Sequence, residues 1–139
     1  MKKSIKPGSH KQLFDELVNI MTRLRGPDGC PWDKRQTHGT LLKYLFSEAH
    51  EVKLAVRKND FDNLKEELGD VLLQVVFHSQ IAKEKGLFDI ADVVEGINRK
   101  LVRRHPHVFG NETLKTPKDV LRRWKEIKQQ EKKDKLRKR

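Results

Sequence analysis

The sequence predicts an all-α fold, because its apolar residues recur at helical spacing, helix caps bound them and strand patterning is weak. Five segments have this spacing, and the first contains Leu13, Leu17, Ile20, Met21 and Leu24. With 139 residues, the chain is about the size of one domain with a single hydrophobic core. We therefore expect one helical bundle over residues 9–130, preceded by a flexible N-terminus at residues 1–8.

Capping residues bound the five predicted helices. Ser9 and Gln12 form a capping-box pattern at the start of the first helix, which ends at Gly26-Pro27. Because residues 26–37 are rich in turn formers, we expect a loop there. The other helices are expected at residues 40–57, 61–85 and 89–104, and from residue 117 onward after Thr116.

The charge balance of the chain is strongly positive. Lys and Arg total 31 against 20 Asp and Glu, which gives a net charge of +11. Such a balance suggests an anionic partner, either nucleic acid, a nucleotide or phosphate. Residues 117–139 alone hold 11 Lys and Arg and 4 Asp and Glu. Within them, residues 131–139 have Leu136 as their one apolar residue, so we expect a basic, disordered tail.

Several classes of protein are disfavoured by the composition. No apolar run approaches the roughly 18 residues of a membrane span, so no transmembrane helix is expected. The N-terminal residues contain no apolar stretch of the kind found in a secretory signal. Cys30 is the single cysteine, which rules out an internal disulfide or a cysteine zinc site. A soluble, cytosolic protein is the expectation.

Two neighbouring helices carry acidic residues beside their apolar faces. Glu48 and Glu51 are three residues apart on the second helix, and Glu67 and Asp70 have the same spacing on the third. Residues at this spacing project from one side of a helix. A short turn near residues 59–62 should fold the two helices into an antiparallel hairpin. In that hairpin Glu51 would face Glu67, and Glu48 and Asp70 would lie one helical turn further on.

Four carboxylates converging beside a core would repel one another, and burying them without partners is costly. A hard divalent cation removes this repulsion, and a set of oxygen ligands suits Mg²⁺ or Mn²⁺. The alternative is a solvated acidic face whose members pair with Lys53, Lys65 or a similar lysine. Two such acidic pairs on adjacent helices, both beside apolar residues, favour the metal site.

The same acidic residues lie in a pattern that resembles a known family. SEAHE at Ser47–Glu51, followed after 15 intervening residues by ELGD at Glu67–Asp70, is similar to the EExxE…ExxD signature of the MazG nucleotide pyrophosphohydrolases. Further similar segments flank it in order, namely CPWDKRQT at 30–37, KLVRRHPHVFG at 100–110 and WKEIKQQEK at 124–132. The resemblance covers about residues 10–132. It departs from the signature at Ser47, which replaces the first glutamate.

The resemblance implies an all-α MazG fold that typically forms a dimer. It also implies Mg²⁺-dependent hydrolysis of nucleoside triphosphates to the monophosphate and pyrophosphate. The family's metal ligands fall on Glu48, Glu51, Glu67 and Asp70. Water activated by the metal would attack the α-phosphorus. Either Glu48 or Glu51 would accept the proton of that water, and the sequence leaves this choice open.

Basic residues near the end of the fourth helix are candidates to bind the phosphates. Lys100, Arg103 and Arg104 form one cationic face, and guanidinium groups suit phosphate oxygens. The alternative is a favourable charge interaction with the C-terminus of the helix. The resemblance implicates Lys100, Arg104, Trp124 and Lys128 in contact with the triphosphate.

Other aromatic and titratable residues have less definite roles. Trp32 in the CPWD segment either stacks on the base or anchors its loop to the core. His78 is expected to be a core histidine with its hydrogen bonds satisfied. His105 and His107, beside the end of a helix, are expected to cap, pack or contact phosphate rather than bind a metal.

Two further functions remain as alternatives. The first is a binding module without catalysis, which attaches to RNA, DNA or a protein through its basic surface. The second is a MazG-like fold with weak or lost catalysis, which is suggested by Ser47 in place of the first glutamate of the signature. The carboxylates predict metal-dependent hydrolysis, whereas the basic tail predicts binding that weakens with salt.

Overall fold

The computed structural model describes residues 8–138, and all regular secondary structure within them is helical. The predicted all-α fold class is thereby confirmed. The seven helices are α1 His10–Leu24, α2 Pro31–Arg35, α3 His38–Arg57, α4 Phe61–Glu84, α5 Ile90–Arg104, α6 Pro106–Phe109 and α7 Pro117–Arg137. The flexible terminus expected at residues 1–8 lies outside the described residues, except for Gly8. None of the described helices is long and apolar enough to cross a membrane.

The described residues fall into two compact units, with the boundary between Ala91 and Asp92. In the first unit, α3 and α4 pack against each other along their length, and α1 packs on α4. The buried cluster of this unit consists of Met21, Leu41, Val76, Phe77 and Ile81. These residues come from α1, α3 and α4, so the hairpin that carries the acidic residues also builds the core.

The turn of the hairpin has the local structure that its sequence favours. Asn59 adopts a φ of 53°, in the left-handed region that asparagine tolerates better than most residues. The Asp60 side chain then accepts a hydrogen bond from the backbone N–H of Asn63 and caps α4. The tight connection fixes which residues of α3 lie opposite which residues of α4.

Two short helices lie where the sequence predicted only connections. The loop expected at residues 26–37 contains α2, which begins with Pro31 in its first turn. The chain after Arg104 continues into α6, which also begins with a proline, Pro106. Proline in the first helical turn loses no hydrogen bond. Pro106, which cannot continue α5, can therefore begin α6. Helix α3 begins two residues before its predicted start, because Thr37 forms a capping box with Thr40.

In the second unit, α7 is held to the end of α5 by polar contacts, and Ile127 of α7 is buried. The Trp124 indole Nε1 donates a hydrogen bond of 2.6 Å to the Arg104 carbonyl oxygen. Glu131 pairs with both Arg103 and Arg104. Helix α7 continues to Arg137, through most of the segment 131–139 for which the sequence predicted disorder. The segment is rich in Lys and Arg, which have good helix propensity and extend a helix already anchored at Glu131.

Candidate metal centre

Three of the predicted acidic residues meet between α3 and α4. One carboxylate oxygen from each of Glu48, Glu67 and Asp70 lies within 4.8 Å of the others. All three side chains are half-buried. Glu67 and Asp70 are one turn apart on α4, and Glu48 reaches across from α3. The hairpin therefore brings together a group of oxygen ligands from two helices, which we call the acidic group.

The acidic group is electrostatically unfavourable without a cation. Partial burial raises the pKa of Glu48 above its usual value, and the negative charges of Asp70 and Glu67 raise it further. Within residues 8–138, none of the three carboxylates forms an ion pair with a lysine or arginine. The alternative of a solvated acidic face paired with lysines therefore does not describe these three residues.

Glu51 does not join the acidic group, although the sequence predicted that it would face Glu67. Glu48 instead interacts with both Glu67 and Asp70. In helix packing, a side chain of one helix fits between two residues of its neighbour rather than directly opposite a single one. Glu51 is half-buried, one turn along α3 from Glu48. Ser47 is exposed, and it has no carboxylate to offer where the family signature has a glutamate.

Arg25, which was not identified from the sequence, holds the segment before α3 in place. Arg25 donates hydrogen bonds to the backbone carbonyls of Asp33 and Gln36 and forms a two-pronged ion pair with Glu84. Its side chain is 8% exposed. The position of Arg25 at the end of α1, just before a turn-rich segment, is a signal that could have identified it. It thereby links α2, which carries Trp32, to Glu84 at the end of α4.

Trp32 packs with its edge against the core and leaves the rest of its ring accessible. Its ring centroid lies 5.6 Å from that of Tyr44 and 6.4 Å from that of Phe77, both in edge-to-face arrangements. The residue is nevertheless 49% exposed. Trp32 thus has the contacts of a loop anchor and keeps about half of its surface accessible.

His78 is a core histidine with one of its ring nitrogens satisfied. Its Nδ1 lies 2.7 Å from Nδ1 of His38, and the two rings are stacked. Burial lowers the pKa of His78, and the neighbouring His38 lowers it further. Its buried Nε2 has no hydrogen-bond partner among the described residues. The sequence expectation of a fully satisfied core histidine is therefore met at one nitrogen and not at the other.

Some of the candidate phosphate-binding cations of the second unit form ion pairs within the chain, and others do not. Arg103 and Arg104 share the carboxylate of Glu131, whereas Lys100 and Lys128 are exposed and form no ion pair within the described part of the chain. The hydrogen bonds and charges of the two arginines lower the pKa of Glu131 to about 2. The sequence reading did not identify Glu131. The sequence does contain one indication of Glu131, because this residue follows Ile127 by four positions and so lies on the same face of α7 as that buried residue.

His105, directly after α5, caps the end of that helix and packs, as the sequence favoured. His105 Nδ1 lies 2.6 Å from the Leu101 carbonyl oxygen, and its ring packs edge-on against Trp124. The His107 ring lies 5.6 Å from that of His105. Neither belongs to a possible metal-binding group within residues 8–138.

The chain is similar to several known proteins over most of its length. A curated relative from Thermotoga maritima, "Nucleoside triphosphate pyrophosphohydrolase/pyrophosphatase MazG", is 54% identical over 120 residues, which are 86% of this chain and 46% of the relative. A relative from Escherichia coli, "Nucleoside triphosphate pyrophosphohydrolase", is 50% identical over 119 residues, which are 85% of this chain and 45% of the relative. The chain thus spans less than half the length of these relatives.

A solved structure and a family model agree with these relatives. The crystal structure of a mazG-related protein from Thermotoga maritima aligns with a TM-score of 0.68 and 34% identity. The alignment covers 83% of this chain and 98% of that one. The sequence model of the MazG nucleotide pyrophosphohydrolase domain matches residues 36–109, more than half of the chain, and this span includes the whole acidic group. The chain therefore belongs to the MazG nucleotide pyrophosphohydrolase family.

Proposed function

We propose that this chain hydrolyses nucleoside triphosphates to the nucleoside monophosphate and pyrophosphate with the help of Mg²⁺. The observation that carries the proposal is the acidic group, three carboxylates from two helices without a cationic partner in the described chain. Membership of the family and the printed names of the relatives support the same reaction.

Glu48, Glu67 and Asp70 would hold the cation. Their fit rests on the chemistry of the site, since three half-buried oxygen donors with a raised Glu48 pKa are stabilised by a hard divalent ion. Mn²⁺ has the same preference for oxygen and is the second candidate. When bound, such an ion neutralises phosphate charge and makes a water molecule more acidic.

The hydrolysis requires a proton acceptor, and Glu51 is the better placed of the two candidates. A water oxygen forms a bond to the α-phosphorus while the bond from that phosphorus to the α–β bridging oxygen breaks. Pyrophosphate leaves with the bonding electrons, and the proton of the water passes to a carboxylate. Glu48 belongs to the acidic group, whereas Glu51 lies one turn away and keeps its oxygens free of that group. We therefore assign the proton to Glu51.

The second unit, taken by itself, carries side chains that suit phosphate groups. Lys100 and Lys128 are exposed and form no ion pair within residues 8–138, so both ammonium groups are available to phosphate oxygens. Arg103 and Arg104 would add the N–H groups that Glu131 leaves free. Trp124 is bonded to the end of α5 and would give an aromatic surface beside them. Trp32 in the first unit is the candidate to stack on the base.

We also propose that the chain assembles as a dimer. One face of α4 is apolar and uncovered, since Phe61, Leu68, Leu72 and Val75 are 69%, 51%, 41% and 38% exposed. These residues recur at helical spacing and would be buried by a second copy. Light scattering at micromolar concentration tests this proposal. A mass near the 16.3 kDa of a single chain would contradict it.

The activity is tested with purified protein and a panel of ribo- and deoxyribonucleoside triphosphates, in Mg²⁺ or in EDTA, with the products separated. We expect monophosphate and pyrophosphate, lost with EDTA and in Glu67→Gln. Glu66→Gln, an exposed neighbour on the same helix, is the matched control and should retain activity. Diphosphate and phosphate as products would place the attack at another phosphorus and refute the proposal. Absence of turnover despite metal binding would instead favour the non-catalytic binding module.

The role of Glu51 is tested separately with Glu51→Gln. A proton acceptor outside the metal site predicts that this variant binds Mn²⁺ as the unaltered protein does, while kcat falls by about 10²- to 10⁴-fold. Loss of Mn²⁺ affinity together with kcat would show that Glu51 is a ligand. Electron paramagnetic resonance of bound Mn²⁺ gives the affinity without reference to activity.

A further inference from the structure

Helix α7 carries a line of basic residues on the side opposite its buried residues. At about 100° per residue, the line follows i, i+4, i+7, i+14 and i+15 and is formed by Lys118, Arg122, Lys125, Lys132 and Lys133, which we call the cationic stripe. All of its members are exposed. Ile127, which is 7% exposed, lies on the other side of the helix.

The charge of the cationic stripe is largely uncompensated. Each acidic residue of α7 has a partner away from the lysines, because Glu126 pairs with Arg123, Glu131 with the arginines of α5, and Asp134 with the amide of Gln130. Asp119 approaches Arg122 at 3.7 Å. The four lysines of the stripe form no ion pair within the described chain. Residues 92–139 hold 16 Lys and Arg against 7 Asp and Glu, so this unit carries most of the net charge.

The chemistry of the stripe indicates the kind of polyanion that it fits. From Lys118 to Lys132 the helix rises about 21 Å, which is comparable to the axial length of about six base pairs of duplex. Its members include no aromatic side chain, so nothing on the stripe would stack on the bases of a single strand. An amphipathic helix that enters a membrane needs a continuous exposed apolar face. The exposed apolar residues of α7 are Leu121 and Leu136, which lie 15 positions apart, and Ile127 between them is buried.

We infer that the cationic stripe binds the phosphodiester backbone of double-stranded nucleic acid, without regard to sequence. Lysine ammonium groups on one side of a rigid helix neutralise successive phosphates and release their counterions. This binding would be independent of the proposed hydrolysis, because the stripe contains none of the residues assigned to the metal, the water or the triphosphate.

The test measures binding of the whole chain to a fluorescent 20-base-pair DNA duplex by anisotropy, from about 0.05 to 0.2 M salt. The stripe variant is Lys118→Gln, Lys125→Gln and Lys132→Gln. The matched control is Lys11→Gln, Lys58→Gln and Lys85→Gln, three exposed lysines of the first unit. Both variants have a net charge of +8 instead of +11. Glutamine favours helix, and circular dichroism verifies that both variants keep their helicity.

The logarithm of the association constant should fall linearly with the logarithm of the salt concentration. If each lysine contacts one phosphate, the slope of the stripe variant should be shallower by about 2.7, and its affinity at 0.1 M salt at least tenfold lower. The control should bind as the unaltered chain does. Equal weakening of both variants would mean that only net charge matters and would overturn the inference. Absence of binding at 0.05 M salt, preference for a single strand, or stripe-dependent binding to anionic vesicles in place of duplex would overturn it as well.

Nucleotide hydrolysis, measured on the same preparations, separates the two proposals. The stripe variant should hydrolyse free nucleoside triphosphates at the rate of the unaltered chain. A chain without hydrolytic activity that still bound duplex through the stripe would refute the proposed function and leave this inference intact.

Discussion

The repulsion within the acidic group predicts that neutralising one of its members stabilises the metal-free protein while it abolishes metal binding. Glu67→Gln keeps the shape of the side chain and removes its charge. Two unit charges separated by the 4.8 Å limit of the group repel by about 0.9 kcal/mol in water and about 3.5 kcal/mol at an effective dielectric constant of 20. The site is half-buried, and the raised pKa of Glu48 favours its protonated form, which offsets part of this repulsion. We therefore expect Glu67→Gln to raise the free energy of unfolding in EDTA by about 1–3 kcal/mol.

The assay is urea denaturation followed by circular dichroism, with EDTA or with saturating Mg²⁺. Magnesium at about 100 times its dissociation constant should stabilise the unaltered protein by about 2.7 kcal/mol and leave Glu67→Gln unchanged. Glu66→Gln is the control, because this exposed neighbour should change stability little in either condition. If Glu67→Gln is no more stable than the unaltered protein in EDTA, the three carboxylates do not repel as their geometry requires.

The pH dependence follows from the same interactions. Because the pKa of Glu48 in the folded, metal-free protein is above its unfolded value, folding is favoured most when Glu48 is protonated. This contribution is complete below the unfolded pKa and is lost as the pH rises through the raised folded pKa. In EDTA the stability of the unaltered protein should decline over that interval. The decline should be shallower in Glu67→Gln, which lacks one of the charges that raise the pKa.

Three further predictions follow from contacts outside the acidic group. Arg25→Gln should lower the free energy of unfolding by about 3 kcal/mol in urea, because two carbonyls lose a charged donor, whereas Glu84→Gln should lower it by less than about 1 kcal/mol. Because the pKa of Glu131 is lowered to about 2 in the folded protein, the stabilisation by its ion pairs is complete above the unfolded pKa and is lost as the pH falls towards 2. The free energy of unfolding should therefore depend less on pH in this acid range in Glu131→Gln. Unchanged acid sensitivity would show that the bridge contributes nothing. Ser47→Glu should raise turnover in the nucleotide assay if the missing first glutamate limits catalysis, and an unchanged rate would argue against that role.

The sequence was sufficient to predict the helices and the acidic pairs. Helical spacing and caps such as Ser9 and Thr116 depend on neighbouring residues, and the structure has these caps where the sequence placed them. The acidic residues stood out for the same reason, since an i, i+3 pair on one helix is a local property. Glu67 and Asp70 could be chosen from the sequence because they form an i, i+3 pair at the start of a long apolar run.

The tertiary structure decided which acidic residues meet and which cations are engaged. Glu48 fits between Glu67 and Asp70, and Glu51 stays outside, because the packing of α3 on α4 sets the register and local spacing does not. Arg25 and Glu131 make contacts across 59 and 28 residues of chain, respectively, which no local pattern reveals. The sequence by itself thus determined the helices and their chemical content. Long-range packing determined the partners, because the distance between two side chains depends on how whole helices pack.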